Sequence, residues 1–328
     1  MKEMNYKTKS NLPVTRLGIG AMRMNDVQEG IRTIKAALDN GITFLNTGDF
    51  YGHGESEMII HEVLKTHKRE DIFISVKFGG MLTPDGKFYG IDARPQNVAN
   101  YLAYSLKRLG TDYVDLYQPA RINPHIPVEE TIGAVADMVK AGYVKNIGIS
   151  EVNSETLRRA HAIHPISMVE VRYSMLDRSI EETLIPAARE LNIGVVTFAN
   201  LFHGVIGGRN PEKTLETLSQ RMMPENVEKL KEAVARLNTL ESFAKEKKAT
   251  ISQLAIAWVL AQGKDILALV GSRTVEQLHD TVKVKDIVLT KEDLAHIEKA
   301  IPKEMAFNSA MLPLNLDENG LFKLLKFK

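Results

Sequence analysis

The stretch DVQEGIRTIKAALDNGITFLNTGDFYGHGESE, Asp26 to Glu57, holds one complete unit of the fold. Asp26 followed three residues later by Glu29 is a capped helix start, and Asn40-Gly41 is a helix stop. Between them Val27, Ile31, Ile34 and Leu38 recur at helical spacing and predict the apolar face. The chain then returns through ITFLN, a short β-type run, into a polar loop. A helix that brings the chain back to a new strand is a βα unit, and repetition of such units predicts a parallel sheet.

Read outward from there, the pattern repeats. Strands are expected at Thr15 to Gly20, Phe44 to Asn46, Ile72 to Lys77, Tyr113 to Gln118, Asn146 to Ser150, Met168 to Arg172, Gly194 to Phe198 and Ile266 to Val270. Helices are expected from Arg94-Pro95 to Gly110, with Val98, Leu102, Leu106 and Leu109 on one stripe, from Val128 to Lys140, and after Thr250 with Gln253 as its capping partner. Eight such units in this length predict an α/β fold of the (β/α)8 TIM-barrel type in preference to an open doubly wound sheet. One barrel domain is expected over residues 1–328. Leu201 to Lys248 is too long for a usual βα loop and is expected to be an insertion over the barrel mouth. The tail 306–328 has enough apolar residues for a substrate-pocket wall or a subunit contact, which leaves the oligomeric state open.

Bulk properties narrow the function classes. With 42 Lys+Arg against 41 Asp+Glu the formal charge is +1, so no overall field favours nucleic acid or an anionic membrane. The absence of cysteine excludes thiolate catalysis and disulfides and is compatible with a reducing cytoplasm. No apolar run approaches the roughly 20 residues of a membrane span, and no signal peptide opens the chain. LFKLLKFK, Leu321 to Lys328, reads as a tail packed on its own domain, with a small basic amphipathic anchor as the alternative. The nine histidines show no metal-ligand spacing, and His161 with His164 reads as a helix-end pair, so no metal site is expected.

Active sites of such barrels lie at the C-terminal ends of the strands. Lys77 closes the apolar run IFISVK there, which suits a snorkelling lysine, a cation that tunes a neighbour, or a Schiff base. Tyr51 alone reads as a packing aromatic. Together they make an acid, because a cation beside a phenol stabilises the phenolate and lets Tyr donate a proton nearer neutrality.

The motifs NTGDFYGHGESE, SVKFGG, TDYVDLYQPARINP, AGYVKNIGISE, VEVRYSML, NIGVVTFANLFHGVIGG and LVGSRTVEQLHDTV, in this order, resemble the aldo-keto reductase superfamily from about Leu17 to Ala300. The resemblance implies NADP(H)-dependent reduction of a small-molecule aldehyde or ketone to an alcohol, with Tyr51 as general acid and Lys77 as its cation. It also implies two departures. Asn46 stands where the family has the Asp that pairs with the Lys, and Ala120 where it has the His over the substrate carbonyl. Lys77 is then expected to lose its ion pair and to fall in pKa, while acidifying Tyr51 more strongly. Arg121, Asn123, His125 and His53 are candidate replacements for the lost His. Cofactor contacts are implied at Gly20, Met22, Ser150, Glu170 (for the usual Gln at the nicotinamide carboxamide), Phe198 as the stacking ring, Gly271, Ser272, Arg273, Gln277 and Asp280. Two other readings stand beside the reductase: a catalytically weak NADP(H)-binding sensor that meets a protein partner, and a Schiff-base lyase using Lys77.

Overall fold

The computed structural model describes residues 5–7, 13–24, 26–207, 211–220, 224–307 and 316–322. Eight parallel strands close into a barrel in chain order: β1 (Leu17–Gly20), β2 (Phe44–Gly48), β3 (Phe73–Phe78), β4 (Val114–Pro119), β5 (Val144–Ser150), β6 (Ile166–Arg172), β7 (Gly194–Phe198) and β8 (Ile266–Val270). Alternation along each strand sorts the core into two shells. Leu45, Ile74, Val76, Tyr117, Ile149, Val169 and Val195 pack against the surrounding helices, while Phe44, Phe73, Leu116, Met168, Val196 and Leu267 form a separate inner cluster. Phe44 and Phe73, paired across β2 and β3, meet edge to face at 5.4 Å. Gly18 on β1 makes room for them: a Cβ there would lie 2.6 Å from the Phe44 ring and 2.9 Å from Leu269. Gly18→Ala should therefore cost about 1–3 kcal/mol by overpacking, measured as a lowered midpoint in urea.

The expected strand Thr15 to Gly20 is two elements. Pro13–Thr15 pairs antiparallel with Asn5–Lys7, and the break falls at Arg16, whose buried guanidinium donates to the carbonyls of Ile266 (2.9 Å) and Gly263 (2.5 Å). This hairpin puts Val14 and Tyr6 against the inner cluster, under the barrel floor.

The helices begin with α1 (Val27–Asp39), whose Asp26 cap accepts from the Glu29 amide as expected. Of the expected stripe, Ile34 is buried and Ile31 and Leu38 pack against the core, whereas Val27 is exposed; Gly30, Thr33 and Ala37 complete the buried face. Gly30 marks a close approach: a Cβ there would lie 3.1 Å from the Ile59 side chain, on α2 (Glu55–Leu64), which would have to shift to admit it. The rest follow as α3 (Pro95–Leu109), α4 (Val128–Lys140), α5 (Ser154–Ile163), α6 (Leu184–Glu190), α7 (Pro211–Ser219), α8 (Pro224–Glu246), α9 (Ile251–Ala261), α10 (Val275–Val282) and α11 (Lys291–Ala300). Thr250 and Gln253 form a reciprocal capping box at α9. Within 201–248, α8 buries Leu230, Ala233, Leu237, Leu240 and Ala244 and packs beside α9 and α11. Leu201 to Gly207 follows the end of β7, where Phe202 stacks on Phe307 at 5.3 Å.

Between β3 and α3 lies a hairpin, Gly80–Leu82 with Phe88–Ile91. The C-terminal segment seats on it: Ile91 N donates to Gly320 O (2.8 Å) and Phe322 N to Tyr89 O (3.0 Å). Most of the LFKLLKFK stretch, residues 323–328, lies outside the described residues. Among those described, no helix is long and apolar enough to cross a membrane, and no group of His, Asp and Glu could hold a metal ion.

Candidate active site

Tyr51 reaches the barrel mouth on a turn that needs its glycines. In Tyr51–Gly54 the φ angles of Gly52, His53 and Gly54 are 57°, 54° and 96°, all left-handed. Gly54 is further constrained because a Cβ would meet Arg108 at 2.6 Å. Arg108 in turn pairs with buried Glu57 (2.5 Å), and the Thr47 and Ser56 hydroxyls lie 2.7 Å apart, which ties the turn to β2 and α2. Phe50 meets the Tyr51 ring edge-on at 4.8 Å. Beneath them, burial pushes the Asp49 carboxyl up to about 7, against the Gly79 amide that donates to it.

Inside the barrel one polar layer lies above the apolar one. Asn46, Ser75, Gln118 and Glu170 come from β2, β3, β4 and β6, each two residues beyond an inner-cluster residue (Phe44, Phe73, Leu116 and Met168) and so on the same side of its strand. Lys77, two further along β3, comes down onto this layer. Its Nζ donates to Asn46 Oδ1 and to Glu170 Oε1 (2.9 Å). Glu170 Oε2 accepts from Asn46 Nδ2 and from Gln118 Nε2, both at 2.7 Å. Ser75 Oγ lies 3.3 Å from Asn46 Nδ2 and 3.2 Å from Gln118 Nε2.

The expected loss of the Lys77 ion pair is therefore corrected. The carboxylate is present, carried by β6 instead of β2, and Asn46 bridges ammonium and carboxylate through its two amide atoms. Burial is the largest influence on Lys77 and lowers its pKa, but the Glu170 carboxylate and Tyr51 together outweigh it and hold the ammonium above its ordinary value. The stronger acidification expected at Tyr51 is corrected for the same reason. Burial raises the phenol, and Lys77, 5.2 Å from its ring centroid, pulls it down but is opposed by Glu170, so the balance stays above the ordinary tyrosine value. Ser75 was not singled out in the sequence, although it sits two residues before Lys77 on the same strand.

Ala120 is buried just beyond β4, its amide donating to Phe78 O. Of the four candidate replacements for a donor at this position, three are engaged in holding loops. His53 Nε2 lies 3.0 Å from Thr83 O, Asn123 Oδ1 accepts from His125 N, and His125 Nε2 lies 3.0 Å from Leu316 O. Arg121 remains: it feels the charges of Tyr51, Glu170 and Glu151, and its guanidinium donates to Ala120 O (2.6 Å).

The loop after β8 has features suited to a dinucleotide. A Cβ on Gly271 would meet nothing within 4 Å, so the space over it is open, and Ser150 Oγ is buried without a hydrogen-bond partner. Phe198 ends β7 and Gly20 ends β1; Met22 is exposed beyond it. Gln277 Oε1 accepts from Arg273 N, and the Val275 amide at the start of α10 is taken by Glu29 Oε1 (3.0 Å). Asp280 accepts from Gln253.

Against known proteins, the profile described as "Aldo/keto reductase family" matches residues 16–302. The chain belongs to the aldo/keto reductase family. It is 39% identical over 303 residues to a "Probable aldo-keto reductase 1" of Glycine max, covering 88% of this chain and 86% of that one. The glycerol dehydrogenase AKR11B4 from Gluconobacter oxydans superposes with a TM-score of 0.81 at 23% identity, over 97% of this chain and 98% of its own. An aldo/keto reductase from Klebsiella pneumoniae, solved in complex with NADP and acetate, gives 0.73 at 22% identity over 91% and 95%. Both structures share the barrel. In this chain Asn46 places an amide and Glu170 a carboxylate beside the Lys77 ammonium.

Proposed function

We propose that the protein is an NADP(H)-dependent reductase of aldehydes or ketones. The observation that carries this reading is the intact Tyr51–Lys77 pair, set on a polar layer in which Glu170 supplies the counter-charge. Tyr51 holds the proton that passes to the carbonyl oxygen as the alcohol forms. Lys77 stabilises the phenolate left behind, and Asn46, Glu170 and Gln118 fix the ammonium under the ring so that nothing need reorganise when charge develops. Bound NADPH supplies the hydride. Phe198 is suited to stack on its ring, the unpartnered Ser150 hydroxyl to bind its carboxamide, and Gly20 and Met22 to flank it. Gly271, Ser272, Arg273, Gln277 and Asp280 would take the adenosine end, and NADP in the Klebsiella relative supports that choice. Arg273→Leu should raise the NADPH dissociation constant about 10- to 100-fold and NADH binding far less, because a guanidinium–phosphate contact is present only with the 2′-phosphate. Cofactor fluorescence titration reads both.

The reaction itself is tested by NADPH oxidation over a panel of aldehydes, ketones and dicarbonyls. Turnover on some of them is expected. Tight NADPH binding with silence across the panel would favour the sensor reading, which rests on Ala120 offering no donor to a carbonyl.

A further inference from the structure

Two arginines at the barrel mouth have no part in the chemistry derived so far. Arg121 follows Ala120 just beyond β4. Arg172 ends β6, two residues after Glu170 and on the same side of the strand. Both address one oxygen, Glu151 Oε2, at 3.5 Å and 3.3 Å, so the two guanidinium groups are neighbours. These distances are long for charge-assisted bonds, which close to about 2.7–2.9 Å. Glu151 is itself committed, its other oxygen accepting from the Arg172 amide at 3.0 Å.

The donors are correspondingly underused. A guanidinium carries five N–H groups. Arg121 spends one on its neighbour's carbonyl, and the Arg172 guanidinium makes no hydrogen bond of normal geometry among the described residues. Arg121 is nevertheless only 25% exposed and Arg172 only 36%. Lys77 pairs with Glu170, and the carboxylate that both arginines face is that of Glu151. Half-buried cations with spare donors in a fixed fork constitute a receptor for a planar oxyanion.

We propose that Arg121 and Arg172 bind an oxyanion, and that it is the carboxylate of the substrate, which makes the preferred substrates oxo acids: aldehydes or ketones that carry a carboxylate. Arg121 is placed for this by its sequence neighbour. Ala120 itself offers no polar group, and it adjoins a guanidinium that shares an electrostatic neighbourhood with Tyr51. A carbonyl turned to Tyr51 would lie with its carboxylate toward the arginines. The other source of an oxyanion is a phosphate of the dinucleotide, and Arg172, 6.0 Å from the Phe198 ring, is near enough to the expected nicotinamide face for the distinction to matter.

The inference rests on the reductase reading, and its test separates the two. Matched pairs that differ only in the carboxylate, such as succinic semialdehyde with butanal and 4-carboxybenzaldehyde with benzaldehyde, are compared by kcat/KM. Acids should be preferred by 10-fold or more, and Arg121→Leu should bring the acid-to-neutral ratio close to one, with Arg172→Leu moving it the same way. Arg121→Lys should recover part of the ratio, since charge returns without the fork. Benzoate binding to the NADPH complex, measured by calorimetry beside benzyl alcohol, gives a readout that needs no turnover: benzoate should bind and lose at least 10-fold in affinity in Arg121→Leu. Reduction of neutral aldehydes with no preference for acids would overturn the substrate class and leave the reductase standing. A rise in the NADPH dissociation constant in both variants, with the acid-to-neutral ratio unmoved, would assign the oxyanion to the dinucleotide and overturn the proposal. Silence on every carbonyl would count against the reductase alone, and benzoate that ignores Arg121 against this inference.

Discussion

Glu170→Gln is expected to lower kcat/KM by about 10²- to 10³-fold, the range for removing one pre-set charge interaction from an active site, and to destabilise the fold by about 3–5 kcal/mol. Both effects come from Lys77. In the variant the ammonium stays buried without a carboxylate partner, so burial, the largest influence on it and now opposed by Tyr51 alone, pushes its pKa down and favours the neutral amine. A neutral amine cannot stabilise the Tyr51 phenolate. Urea denaturation gives the stability loss, and steady-state kinetics on the best carbonyl gives the rate loss. NADPH binding separates a role at Lys77 from one at the nicotinamide: it should change less than about threefold, because both Glu170 oxygens are already occupied by Lys77, Asn46 and Gln118.

How much of this was legible in the sequence differs between scales. Strand positions could be read because each strand is bounded by helix stops and alternates between two apolar shells; β7 and β8 fall at the expected residues. The place of Gly30 on the buried face of α1 could not, since it depends on Gly30 meeting Ile59, a contact between helices that periodicity within one helix does not encode. The site shows the same division. Asn46 and Glu170 were each visible as departures from the family pattern. That they compensate one another was not, because they are 124 residues apart and meet only across the closed barrel, within a polar layer set by strand register. His53 and His125 illustrate the reverse: residue types that suggest chemistry turn out to hold the hairpin and the C-terminal segment in place.

Tyr51→Phe should cost the larger share of catalysis, about 10²- to 10⁴-fold in kcat, with NADPH binding and stability little changed, since the ring and its contact with Phe50 are kept. The pH dependence has a definite sign. A phenol held above its ordinary value remains protonated through the neutral range, so the reduction rate should be flat from about pH 6 to 9 and fall only above that. Alcohol oxidation, which needs the phenolate, should rise with pH over the same interval. In Tyr51→Phe the residual rate should lose both trends. Stopped-flow single turnovers would show this in the chemical step, free of product release. Undiminished turnover without the phenol would mean that the proton comes from elsewhere.

The most direct test of the relocated carboxylate is a four-member cycle of kcat/KM: the native chain, Asn46→Asp, Glu170→Gln and the double exchange. Asn46→Asp alone turns the 2.7 Å contact with Glu170 into two facing carboxylates, and one must take up a proton. Glu170→Gln alone removes the only carboxylate hydrogen-bonded to Lys77 among the described residues. Each single variant should be slow, and the double exchange, which returns one carboxylate and one amide to the same ammonium, should recover to within about tenfold of the native rate. A double exchange as slow as the product of the two single losses would contradict the account, because Asn46 and Glu170 would then act independently and Lys77 would not depend on their shared charge.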